Sequence, residues 1–218
     1  MVEMKHGILF CLILFISLLH GPVSVHASEE GILQPMAGDV KNGVADSADQ
    51  SKKRQVFHNL NWHSLSIRGT FSSLDVLGDE APEEFRQYDI AANFRLPWEW
   101  SVISDWGVST RLMASVGMLS NSKEKALAVS LIPLVVFGSR DGRFSLDMGA
   151  GGAALSEHGF GAQEFGGPFQ FALTTGVSIP LYKEYSLGYR FLHYSDAGLN
   201  GPDTIGADLH MIELLYRF

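Results

Sequence analysis

Cysteine is almost absent from this chain. Among 218 residues there is one, Cys11, and it lies inside the N-terminal apolar run. Beyond that run, disulfide staples and thiolate chemistry are excluded. Long hydrophobic runs are equally scarce. After residue 19 no stretch approaches the ~18 apolar residues that mark a helical membrane span. Positive charge is also in deficit: 16 Lys and Arg stand against 24 Asp and Glu, for a formal charge of −8. That balance lacks the basic surface that nucleic acid requires, so no nucleic-acid partner is expected.

The N-terminus reads as a secretory signal peptide over residues 1–27. Lys5 and His6 precede an apolar run at 8–19, and Val25-His26-Ala27 supplies a small-residue cleavage site. No cysteine follows that site, which argues against a lipoprotein. Removing the leader takes away Glu3 and Lys5, which cancel, so the mature charge remains −8. Residues 28–55 are polar, end in Lys52-Lys53-Arg54 and read as a flexible N-terminal extension with no function assigned by the sequence. Residues 56–218 are long enough for one domain.

From Trp62 onward the pattern has period two, the signature of strands. The first expected strand sets His63, Leu65, Ile67, Gly69 and Phe71 against Ser64, Ser66, Arg68 and Thr70. Further strands are expected at 85–96, 101–115, 126–138, 143–150, 168–179, 185–195 and 208–218. With no helical span available, a closed barrel is the remaining way to cross a bilayer. The expected fold is all-β, an eight-stranded antiparallel transmembrane β-barrel of the outer membrane, apolar outside and polar inside. Short links are expected at Pro97-Trp98-Glu99, at 139–142 and at 180–184. Longer loops are expected at 74–84, 157–167 and 196–207, with an intermediate link near 120–125. The inward face collects Arg68, Asp89, Arg95, Asp105, Arg111, Asp147, Arg190, Glu213 and Arg217. Both signs are present, so an ion-paired filling is expected, and eight strands leave room for side chains rather than a pore.

The last two strands carry the candidate chemistry. His193 and Ser195 share one face of the seventh strand, and it is the apolar, lipid-facing one. Asp208 opens the eighth strand on the same face. A serine nucleophile needs a base, and the base needs an orienting acid. Ser195, His193 and Asp208 suit those roles. Backbone N–H groups at Asp196 and Gly198 are candidate oxyanion donors. Polar groups on a lipid-facing wall are costly unless used. His63, His158 and His210 show no metal-ligand spacing, so no metal site is expected.

The run His193-Tyr194-Ser195-Asp196-Ala197-Gly198-Leu199-Asn200-Gly201-Pro202, then Gly206-Ala207-Asp208 and a terminal Tyr216-Arg217-Phe218, resembles the PagL family of lipid A 3-O-deacylases. The resemblance implies an eight-stranded outer-membrane barrel without cofactor. Its substrate would be lipid A of lipopolysaccharide, cleaved at the ester-linked 3-hydroxyacyl chain. It also implies Ser195 as nucleophile, His193 as base and Asp208 as acid. Glu213 is a rival acid, but its parity points inward. The chain departs from the family pattern in having Asp196 where asparagine is usual, and Asp rather than Glu as the third member. A negative charge at 196 would oppose an oxyanion.

The competing expectation is an inactive structural or adhesive barrel, and Asp196 is the residue that favours it. A small-solute channel is disfavoured by the strand count. The sequence leaves open whether the barrel pairs with a second copy as a homodimer.

Overall fold

The alternating segments become ten strands in the computed structural model, which describes residues 61–77, 83–103, 105–139, 143–200, 204 and 206–218. The signal peptide and extension expected at 1–27 and 28–55 lie outside the described residues. The strands are β1 (Trp62–Ser72), β2 (Arg86–Ile103), β3 (Trp106–Ser120), β4 (Lys125–Ser139), β5 (Ser145–Leu155), β6 (Gly159–Phe160), β7 (Gln163–Glu164), β8 (Phe169–Tyr182), β9 (Tyr185–Ser195) and β10 (Ala207–Arg217). Eight of them close a barrel in the order β1-β10-β9-β8-β5-β4-β3-β2. Every neighbouring pair is antiparallel, and β1 meets β10 to remove the free edges. β6 and β7 form a separate small hairpin in the β5–β8 connection, a segment whose sequence reads as plain Gly-rich loop.

Period two translates directly into an inside and an outside. On β4, Leu127, Val129 and Leu131 are exposed while Ala126, Ala128 and Ser130 are buried. Ile67, Ile90, Met148 and Ile212 continue the exposed apolar wall. Such a continuous apolar exterior suits lipid rather than water. Around the end of the barrel where the short turns lie, aromatic rings gather: Trp62 lies 4.8 Å from Phe94, Tyr185 lies 5.4 Å from Tyr216, and Tyr216 lies 5.2 Å from Phe218. This is the interfacial aromatic band of membrane barrels.

The interior is filled by paired charge at mid-height and by rings at the loop end. Arg68 Nε meets Asp89 Oδ1 at 2.5 Å, and Nη2 meets Oδ2 at 2.9 Å. Arg190 forks onto Asp147 at 2.7 and 3.0 Å and reaches Glu213 through Nε at 3.1 Å. Glu213 also accepts from Ser66 Oγ at 2.7 Å. All of these groups are buried, so each charge is neutralised where water cannot reach it. At the loop end Phe85, Phe160 and Phe165 pack edge to face, with centroids 5.2–5.6 Å apart. Two of the three rings come from the β6–β7 hairpin and its flank, so the hairpin plugs the barrel rather than lying idle outside it.

Three expectations need correction. Pro97-Trp98-Glu99 is not a link. β2 runs through it to Ile103, and Asp105 lies in a turn. The register slips between Arg95 and Glu99, with Thr110 Oγ1 donating to Trp98 O at 3.1 Å. That bulge accommodates a proline, which has no N–H for the ladder. The third strand therefore begins at Trp106, and Asp105 sits exposed in the turn rather than inside the barrel. A second slip, between Trp62 and Ser64, takes His63 out of the outward apolar row. Its Nδ1 accepts from Arg95 Nε at 3.3 Å.

Candidate active site

β9 and β10 lie side by side, and their register makes Asp208 the direct partner of His193. Opposed residues of an antiparallel pair hold their Cβ atoms about 4.5–5.5 Å apart. At that separation a short Asp reaches the imidazole directly. His193 Nδ1 and Asp208 Oδ1 are 2.5 Å apart. Both groups are buried, although their parity is that of the outer wall.

What covers them is the β1–β2 connection. Its Leu77 amide donates to Asp208 Oδ2 at 2.6 Å, and the Val76 amide donates to the same oxygen. Next along β10, His210 Nε2 meets Leu74 O at 3.1 Å while its Nδ1 meets Tyr189 Oη at 2.7 Å. Two outward side chains of β10 thus strap residues 74–77 across the sheet. Each partner of the Asp208 carboxylate is a donor. His193 must then carry its hydrogen on Nδ1, leaving the lone pair of Nε2 to face away from the acid.

Ser195 ends β9 on the same side as His193, half-buried and paired across the sheet with Phe171. Among the described residues its Oγ makes no hydrogen bond. Gly206 stands over both side chains. A Cβ added there would lie 3.0 Å from His193 Cε1, 3.3 Å from Ser195 Cβ and only 2.4 Å from Tyr194 O. Only glycine fits, and its carbonyl is held by Gln163 Nε2 of β7 at 2.7 Å.

Asp196 follows Ser195 and turns back on its own loop. Its Oδ1 accepts from Gly198 N and Thr204 Oγ1, each at 2.8 Å. Its Oδ2 accepts from Asn200 N at 2.9 Å and Asn200 Nδ2 at 3.2 Å. Burial alone would raise this carboxyl, but the donors of Gly198, Asn200 and Thr204 outweigh it and hold the group below the usual carboxylate range. One expectation fails here. The Gly198 N–H does not face the space in front of Ser195; it is spent on Asp196. Asp196 keeps its backbone N–H as an oxyanion candidate, and its side chain points away into the loop.

The structure thus brings His193 and Asp208 into contact and sets Ser195 beside them. Glu213 lies inside the barrel on Arg190 and Ser66, away from the outer wall. Sequence reasoning missed the Val76 and Leu77 amides, which have no side-chain signature. It also missed Gln163 and the Tyr189–His210 pair, whose partners come from distant segments. Among the described residues, no three His, Cys, Asp or Glu side chains gather as metal ligands.

This geometry has relatives. The family described as lipid A 3-O-deacylase (PagL) matches residues 86–217. The lipid A deacylase PagL of Bordetella bronchiseptica is 26% identical over 136 residues, covering 59% of this chain and 75% of that protein. The crystal structure of the outer membrane enzyme PagL superposes with a TM-score of 0.59 at 18% identity, over 71% of this chain and 99% of that one. The family match spans more than half of the chain and takes in β2 to β10. The chain belongs to the PagL family of lipid A 3-O-deacylases.

Proposed function

We propose that this protein is an outer-membrane serine esterase that hydrolyses the 3-O-linked hydroxyacyl ester of lipid A and so remodels lipopolysaccharide. The observation that carries the reading is the His193–Asp208 pair: a buried, acid-oriented imidazole on the wall that faces lipid, in a family of lipid A deacylases. In this reading Ser195 Oγ attacks the ester carbonyl while His193 Nε2 takes its proton. Asp208 stabilises the imidazolium through Nδ1. The Asp196 backbone N–H, adjacent to the nucleophile, receives the oxyanion. His193 then hands the proton to the departing sugar oxygen, leaving the acyl group on Ser195. Water, deprotonated by His193, releases the free hydroxy fatty acid and restores Ser195.

Placement on the membrane follows the same logic. With the short turns in the periplasm, β9 runs outward, and Ser195 at its end lies at the depth of the outer leaflet, where lipopolysaccharide resides. Substrate enters sideways, its acyl chains along the apolar wall. The competing reading, an inactive barrel, drew on Asp196. That carboxylate is satisfied by four donors of its own loop and is aimed away from Ser195, which supports the enzyme.

The test is mass spectrometry of lipid A from Gram-negative cells whose lipid A bears a 3-O-acyl chain. The cells would express the parent or Ser195→Ala at matched outer-membrane levels. Loss of one hydroxyacyl group with the parent alone is the expected result. Identical spectra from two folded barrels would overturn the reading.

A further inference from the structure

Among the buried charges outside the His193–Asp208 pair, Asp196 stands apart. The interior carboxylates Asp89, Asp147 and Glu213 each face an arginine. Asp196, only 4% exposed, faces none among the described residues, and its partners there are uncharged donors from three residues. Both oxygens accept, and each takes one backbone N–H: Gly198 on Oδ1 and Asn200 on Oδ2.

Only a carboxylate can do this. An asparagine offers one oxygen and one NH2. Whichever way its amide is turned, the NH2 meets a backbone N–H, and one of these part-buried bonds is lost. The surroundings leave little freedom to adjust. Ala197 and Gly198 already hold positive φ, at 55° and 76°. Gly166, also at positive φ, backs the carboxylate so closely that a Cβ there would lie 2.8 Å from Asp196 Oδ2 and 2.6 Å from Thr204 Cγ2.

We propose that Asp196 is a positioning residue: by gathering Gly198, Asn200 and Thr204 onto one carboxylate, it fixes the Ser195–Asp196 peptide for acyl transfer, and asparagine cannot replace it. The inference rests on the esterase reading of the same site and reverses a simpler expectation, that removing the negative charge beside an oxyanion would help. The hub acts through geometry. It never touches substrate, and its charge is directed into the loop.

Asp196→Asn and the milder Thr204→Val would be compared with the parent, each refolded in detergent, by turnover of lipid A and by amide hydrogen exchange at Gly198 and Asn200. The expected result for Asp196→Asn is lost protection at one or both amides, kcat lower by about tenfold to a hundredfold, and KM within about twofold. Thr204→Val, which removes a single donor, is expected to shift both readouts in the same direction by less. Unchanged protection in Asp196→Asn overturns the hub. Lost protection with unchanged or raised kcat overturns the positioning role. A parent that folds but turns over no lipid A overturns the esterase reading and with it the positioning role, while exchange still decides whether the hub exists.

Discussion

Two clusters of buried charge, both touching β9 and β10, are built to opposite ends. Inside the barrel, Arg190 is wrapped by Asp147 and Glu213, and Arg68 by Asp89. Each of these five groups is answered by another of them, so none of the five is left over for chemistry. On the outer wall, Asp208 receives His193 and two backbone amides, and among the described residues no permanent cation pairs with it. That arrangement spends the acid on orienting one imidazole nitrogen and leaves the other open. The same strands thus turn a charge-paired face inward and, outward, the face on which the proposed chemistry would run. A buried charge becomes functional when its partner has a second, unspent valence.

The contrast can be broken most sharply with paired substitutions. Asp208→Asn is expected to cost about 10²–10⁴ in kcat, with the unfolding transition shifted little, because the lost contacts lie on the wall and not in the filling. Arg190→Met should do the reverse. It strands Asp147 and Glu213 without their cation, at about 3–5 kcal/mol of stability, while the fraction still folded turns over at the parent rate. Activity against chemical denaturation in detergent reads both. If Asp208→Asn unfolds the barrel and Arg190→Met silences a folded one, the division between faces is wrong.

Gly206→Ala sharpens the comparison at one atom. The added methyl would press on Tyr194 O and the His193 ring, so activity is expected to fall about tenfold to a hundredfold through misplacement. Ala at the inward-facing Gly188 meets its nearest atom only at 3.1 Å, Val177 O. It should change stability more than turnover.

The smallest effect expected is on pH. The folded carboxyl of Asp196 lies below its unfolded value, so it stabilises its loop at every pH above the ordinary carboxylate range. That contribution is lost as pH falls through the depressed folded value. Other titratable groups from adjoining elements are His193 on β9, Asp208 on β10, and the His158–Glu164 pair of the hairpin. Exchange at Gly198 and Asn200 should therefore accelerate on acidification beyond the intrinsic change. Asp196→Asn should abolish that dependence while leaving any step that belongs to the other four.

Much of this was readable in the chain. Period two from Trp62, with no apolar run long enough for a helical span, led to eight strands and a closed barrel. Parity alone put Arg68, Asp89, Asp147, Arg190 and Glu213 inside and His193, Ser195 and Asp208 outside. Boundaries were less legible wherever a bulge absorbed residues. Pro97 reads as a turn because proline breaks ladders, yet β2 carries it in a bulge. His63 changes sides for the same reason.

By itself the sequence determined the alternation and the face of the last two strands on which His193, Ser195 and Asp208 lie, because side-chain direction in a strand follows from counting. Tertiary structure alone decided how those groups are held. The Val76 and Leu77 amides reach Asp208 from more than 130 positions away. Gln163 reaches Gly206 across 43 positions, and Gly166 closes on Asp196 from another loop. Backbone amides have no letter of their own, and loop-to-loop contacts have no period. Such contacts exist only once the barrel has closed and brought the loops to one end.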